Sequence, residues 1–278
     1  MKQRIISALF GLVILFAVFA LFETIVLNAV VAAVIVLALH ELFTAAGERH
    51  TSISYLAMGF GATIPFFKTW MLERALPAVC FLFAFVLLCA LLRHHRDVKA
   101  ERMGFIFCFT ILIAFSTTCF VYLRDFFGLR IGFYAVLVTL VGAWMSDTGA
   151  YFFGLAFGRH KLAPEISPKK TVEGAIGGIL AALVSQGLVA FGYSFYCAKA
   201  GAAFSINLPL LLACSPLISV VSIIGDLSAS VMKRQFGIKD FGHIMPGHGG
   251  VLDRFDSVLL VIPFVYNLFL YLPLASTL

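Results

Sequence analysis

The chain has 278 residues, of which 62% are hydrophobic and 12% charged, with a formal net charge of +6. Its charged share is about half that of a soluble domain, too little polar material to cover a water-facing surface, so a disordered or secreted chain is excluded and lipid must be the solvent. The positive balance then reads as loop charges that set membrane orientation, rather than as a nucleic-acid surface. Six cysteines, at 80, 89, 108, 119, 197 and 214, sit mostly inside apolar runs without CxxC or metal spacing, which predicts small buried apolar residues.

A spanning helix needs about 20 mainly apolar residues. Nine such runs follow in order, near 5–22, 25–46, 53–67, 75–92, 104–123, 131–157, 173–196, 206–232 and 255–276. The third is short and glycine-rich, which suits a re-entrant segment. The first has no small-residue cleavage site after it and meets a second apolar run at once, unlike a cleaved signal peptide. With the N-terminus in the cytoplasm, fifteen of the 20 Lys and Arg residues fall in inside loops. That asymmetry predicts nine spans, N-terminus inside and C-terminus outside. It puts the two longest polar loops, 158–172 and 233–254, on the same cytoplasmic side. The fold class expected is all-α and polytopic. Residues 1–130 are expected to be scaffold helices, and 131–278 a transmembrane catalytic region carrying both loops.

Charged groups inside spans are costly and call for a reason. Glu23, His40 and Glu41 lie near span ends, where they are expected to reach headgroups or pair locally. Asp147, in "AWMSDTGAYFFG", lies deep in the sixth run, and Asp226, in "IIGDLSAS", lies near the end of the eighth. On a helix, Asp226, Ser230 and Lys233 or Arg234 share one face at offsets of 4, 7 and 8. The loop beyond adds Lys239 and Asp240, turns at Pro246–Gly247, passes His248–Gly249–Gly250, and re-enters a helix at Asp253–Arg254–Phe255–Asp256. A solvated basic loop would account for the cations alone. It does not require carboxylates flanking them at both helix ends, and the glycine pair suits a backbone that comes close to something else.

Aspartate oxygens suit Mg²⁺ shared with phosphates. Lys and Arg suit the phosphates themselves, and a glycine-rich turn offers backbone donors. These parts describe a phosphoryl or nucleotidyl transfer site. No P-loop, nucleophile elbow or Ser–His–Asp pattern is present. The second loop, "FGRHKLAPEISPKKTVEG", is stiffened by Pro164 and Pro168. It ends with Lys169 and Lys170 before Thr171, a predicted N-cap, where a helix start and two lysines suit an anion. Gly174 and Gly178 form a GxxxG whose expected meaning is close helix packing.

The stretch "SVMKRQFGIKDFGHIMPGHGGVLDRFD", Ser230 to Asp256, resembles the signature of the phosphatidate cytidylyltransferases, also called CDP-diacylglycerol synthases. That pattern runs Ser-x-apolar-Lys-Arg, four residues, Lys-Asp, then Pro-x-His-Gly-Gly-apolar-x-Asp-Arg-apolar-Asp, and every fixed position is met. "SDTGAYFFG" and the 158–172 loop resemble the family's second conserved region. Similarity is strong over roughly 142–257, while the first 130 residues match only in hydropathy. Met245, Leu155 and Arg159 depart from the residues usual in the family.

The resemblance implies the reaction CTP + phosphatidate → CDP-diacylglycerol + pyrophosphate in phospholipid biosynthesis. It also implies Mg²⁺ with a second cation such as K⁺, and a homodimer; with the charge split above, a bacterial plasma membrane with the active site on the cytoplasmic side is expected. It maps the metal aspartates onto Asp226 and Asp253 and the signature hydroxyl onto Ser230. Asp256 and Asp147 are expected to serve a second cation or the outer shell. Lys233, Arg234, Lys239 and Arg254 would neutralise phosphates, with Lys169 and Lys170 on the triphosphate. Asp240 and His248 complete the catalytic set, and Gly249 and Gly250 would bring backbone donors to the nucleotide. Two rivals differ in class. A CDP-alcohol phosphotransferase would carry a DGxxAR motif, which is absent. A transporter would explain Asp147 and Asp226 as pathway residues, but not the ordered basic series at one helix end.

Overall fold

A computed structural model describes residues 2–48, 51–67, 69–96, 98–245 and 249–277. Pro246, Gly247 and the candidate His248 lie outside the described residues, as do Arg49 and Lys68. The long helices are α1 (Lys2–Ala20), α2 (Ile25–Ala45), α4 (Thr69–Arg93), α5 (Ala100–Phe157), α6 (Val172–Lys199) and α7 (Leu208–Gln235). Shorter ones are α3 (Ser52–Thr63), α8 (Leu252–Phe255) and α9 (Val258–Tyr271). Two antiparallel strand pairs accompany them, β1 (Lys161–Ala163) with β2 (Ser167–Thr171), and β3 (Phe204–Ile206) with β4 (Ala275–Thr277). The fold is predominantly helical, as its apolar composition requires.

Among the described residues, five helices are long and apolar enough to cross a membrane: α2, the Ala75–Arg93 part of α4, α5, α6 and α7. Helix α5 contains two of the runs that the sequence separates. At 58 residues it would extend about 87 Å, against a hydrocarbon core of about 30 Å. Gly128 interrupts it with φ 77° and ψ 173°, backbone that a side chain disfavours. The glycine-rich third run forms the short α3, ending in a 3₁₀ turn at Ile64–Phe66. Cysteine burial departs from expectation. Cys119, Cys197 and Cys214 are buried, but Cys89 and Cys108 are exposed. Both belong to apolar helices, and lipid rather than water is the solvent such positions suit.

The chain divides into two compact units. The first comprises residues 1–125 and 238–254. Its core includes Ile35, Leu39, Leu42 and Phe43 of α2, spaced to share a helical face, with Ile106, Ile113 and Ala114 of α5. Phe60 of α3 stacks on Phe83 of α4, ring centroids 4.0 Å apart. Arg124 fastens the start of α2. It donates to the carbonyls of Phe22 and Thr24 and to Asn28 Oδ1, while Asn28 donates to Pro65 O.

The second unit comprises residues 126–237 and 255–278. Its α6 packs on α7 and presents glycines to the second half of α5. A Cβ at Gly174 would stand 2.7 Å from Ala150 O, and one at Gly178 2.7 Å from Ser146 O. The GxxxG is therefore a packing face, as expected. Tyr134, fully buried, gathers Tyr193, Phe204 and Phe269 around it. Helices α6 and α7 run antiparallel, since Lys170, just before α6, meets Asp226 near the end of α7.

Candidate functional site

The second unit gathers three aspartates from separate elements. Asp226, on the last turns of α7, forms a 2.6 Å ion pair through Oδ2 with Lys170 Nζ of β2, both side chains about a quarter exposed. Its Oδ1 accepts a long bond, 3.5 Å, from the hydroxyl of Ser230, one turn on. Asp147 of α5 accepts from Ser257 Oγ at 2.9 Å and from Ser222 Oγ at 3.5 Å. Asp226, Asp256 and Lys170 are its charged neighbours. Asp256, just after α8, accepts from the Ser257 N–H and lies 3.6 Å from Lys233 Nζ.

Close backbone packing makes this convergence feasible. Gly225 precedes Asp226, and a Cβ there would meet Asp256 O at 2.9 Å and Ser257 Cα at 3.0 Å. Helix α7 can thus lie directly against the 256–257 segment. The β1–β2 hairpin supplies Lys170 and is itself braced. Glu173 accepts the N–H groups of Arg159 and His160 and pairs with His160 Nδ1 at 2.6 Å. Thr171 caps α6 by accepting from Gly174 N, as the sequence predicts. Arg234 donates from Nε to Ile166 O, so this candidate phosphate ligand ties α7 to the hairpin. Lys169 stands exposed beside Lys170.

The first unit holds the other half of the signature, residues 238–254. Asp253, buried at 8% exposure, accepts from Phe241 N at 2.8 Å and Gly250 N at 3.0 Å through one oxygen, Oδ2. Gly249 has φ 86°, and a Cβ there would stand 3.0 Å from Asp253 Oδ2 and 3.5 Å from Asp240 Oδ1. The two carboxylates thus flank this glycine. The Gly250 N–H, a candidate nucleotide donor, is engaged by Asp253. Lys239 and Arg254 are exposed.

The reading of Glu41 as a span-end charge that pairs locally or reaches headgroups is corrected. It is 3% exposed and accepts from Val251 N at 3.0 Å and Leu252 N at 2.8 Å, more than 200 residues away in sequence. Its signal was the cost of a carboxylate within a 21-residue apolar helix, a cost met by paired donors. Ser222 and Ser257 also escaped the sequence reading, because lone serines in apolar runs carry no distinctive pattern.

Among the described residues, no three His, Cys, Asp or Glu side chains converge as a ready-made ion cage. The donor set nevertheless fits a hard divalent cation. Asp147, Asp226 and Asp256 offer carboxylate oxygens with serine hydroxyls beside them, the hard oxygen donors such a cation takes. The lysines at Asp226 and Asp256 supply positive charge suited to phosphate oxygens.

Comparison with known proteins agrees with this chemistry. The profile of the cytidylyltransferase family matches residues 2–272. It therefore includes the first 130 residues, where the signature reading found only shared hydropathy. A phosphatidate cytidylyltransferase of Bacillus subtilis is 40% identical over 199 residues, 71% of this chain and 67% of that protein. One of Staphylococcus haemolyticus is 44% identical over 132 residues, 48% of this chain and 47% of that protein. One of Staphylococcus aureus strain COL is 42% identical over a stretch of the same length. The staphylococcal matches thus span about half the length of those relatives.

Proposed function

The chain belongs to the cytidylyltransferase family, and from that premise we propose that it transfers CMP from CTP to phosphatidate, forming CDP-diacylglycerol and pyrophosphate. A phosphatidate phosphate oxygen attacks the α-phosphorus of CTP. The bond from that phosphorus to the β,γ-diphosphate breaks, and pyrophosphate leaves with the electron pair. Two phosphate groups react, so the protein needs no nucleophile of its own. Its work is positioning and charge compensation.

The observation that carries this reading is the meeting of Asp226 with Lys170, beside Asp147, Asp256 and Lys233. Helices α5 and α7, the β1–β2 hairpin and the segment between α8 and α9 contribute oxygen donors and cations at one place in this unit. One substrate is a lipid and the other a polyanion, so their phosphates can react only where apolar helices end in charge. Lys170 and Lys233, with Lys169, Lys239 and Arg254 in the exposed positions, would bind phosphate oxygens. Members of this family generally use a divalent cation. By the family resemblance Asp226 and Asp253 would be the Mg²⁺ ligands, with Asp256 and Asp147 for a second cation such as K⁺ or the outer shell; the metal would supply positive charge to the phosphates.

Lysine and arginine placement supports nine spans with the N-terminus inside, a bacterial plasma membrane and a cytoplasmic active site. Residues 1–130 would be scaffold and 131–278 the catalytic region. A homodimer accords with the family resemblance. The test is incorporation of label from α-³²P-CTP into lipid by the purified protein in phosphatidate micelles. Labelled CDP-diacylglycerol that appears only with phosphatidate present is the expected product. Labelled lipid formed equally without phosphatidate, or no labelled lipid at all, would overturn the proposal.

A further inference from the structure

We propose that Glu41, on the second helix, is a positioning residue for this reaction: it fixes the 238–254 loop in its working shape. The inference rests on reading that loop as part of the cytidylyltransferase site. Each Glu41 oxygen takes one backbone donor, Oε1 from Val251 and Oε2 from Leu252. Two further loop positions close on the same carboxylate, because a Cβ added at Gly242 or at Gly250 would collide with it. Gly250 therefore has a reason to be glycine that is distinct from substrate approach. The sequence feature that suggests backbone close to something has an identified partner.

Asp253 completes the arrangement by accepting from Phe241 and Gly250. Glu41 and Asp253 thus divide between them the amides of residues 250, 251 and 252, with that of 241. A candidate metal ligand sits on a turn whose backbone is fastened to α2. Charge-assisted bonds to a buried carboxylate are about twice as strong as neutral ones. A buried acceptor left partnerless is costly, so the loop's bound shape is strongly favoured. Displacement of a catalytic group by about 1 Å can reduce turnover by as much as a hundredfold.

Glu41→Gln tests this, because it keeps volume and one acceptor while turning an NH₂ toward the second amide. Two readouts are taken on folded, monodisperse protein: hydrogen exchange across 241–252, and kcat and KM for CTP and phosphatidate per folded molecule. Exchange of the 250–252 amides should rise while that of the α2 core, 31–39, stays unchanged. The kcat should fall about 10- to 100-fold, and kcat/KM with it. Glu41→Ala should move both readouts further in the same direction. Unchanged exchange at 250–252, or a kcat within about twofold of wild type despite faster exchange, would overturn the positioning role while the reaction itself stands. A wild-type protein with no CMP transfer would instead remove the functional premise and this inference with it.

Discussion

Asp226 concentrates the proposed chemistry at the scale of single residues. It pairs with Lys170 at 2.6 Å and has Ser230 above it on the same helix face. Replacing it with asparagine removes the negative charge and leaves Lys170 without its ion pair. Turnover should fall more than about a hundredfold, or about 2.7 kcal/mol of transition-state stabilisation, while membrane insertion and yield persist. CMP-transfer kinetics at saturating Mg²⁺ check this, and near-normal activity there would remove Asp226 from the metal set. Lys233, 3.6 Å from Asp256, separates phosphate binding from membrane orientation. Lys233→Ala removes one of the fifteen charges that the lysine and arginine count assigns to the inside, so topology should persist. A lost charged contact of about 1.5–3 kcal/mol should lower kcat/KM about 10- to 150-fold. An unchanged kcat/KM for both substrates would reduce this lysine to an orienting charge. The Asp226–Ser230–Lys233 stripe was legible from helical periodicity alone. Asp147's partners were not, because Ser222 and Ser257 are brought to it by tertiary packing.

At the scale of elements, apolar run length was the readable signal, and it located the long helices to within a few residues. Run length cannot show how two runs join, and Gly128 carries helix on both sides of a single non-helical residue. The two strand pairs were also hidden. Strands of three to five residues have too little length for alternation to register, and β3–β4 joins segments some 70 residues apart. The 158–172 loop reads in sequence as stiff and anion-binding, but its pairing as a hairpin, which delivers Lys170 to Asp226, was not legible. At Gly174 and Gly178, helix α6 approaches the α5 backbone closely, which gives a sharp test. A leucine at Gly178 would drive its Cβ toward Ser146 O, which cannot rotate away. Gly178→Leu should destabilise the protein by about 1–3 kcal/mol through overpacking, seen as a lower Tm in detergent. Gly192, with nothing within 4 Å of an added Cβ, is the control, and its alanine variant should melt close to wild type.

For the whole molecule, the sequence places charge asymmetry on loops, while the helices indicate which loops must share a side. Helix α6 has 28 residues, about 42 Å long, enough to cross a hydrocarbon core of about 30 Å. At its far end Lys199 lies over the Phe195 ring, Nζ 4.7 Å from the centroid, a cation and aromatic pair suited to a membrane interface. Antiparallel α7 returns the chain, since Lys170 meets Asp226 and Arg234 reaches Ile166. Positions 165 and 235 therefore belong to one end of this helix pair and position 199 to the other. In a background lacking the six native cysteines, single cysteines at 165 and 235 should react with an impermeant maleimide only after the membrane is opened from the cytoplasmic side. A cysteine at 199 should react in intact cells. Labelling of 165 and 235 from opposite sides would contradict the antiparallel pair. Labelling of both in intact cells, with 199 protected, would keep the pair but reverse the orientation drawn from the lysine and arginine count. CTP is supplied on the cytoplasmic side, so that reversed result would also leave Lys170 and Asp226 where no nucleotide could reach them.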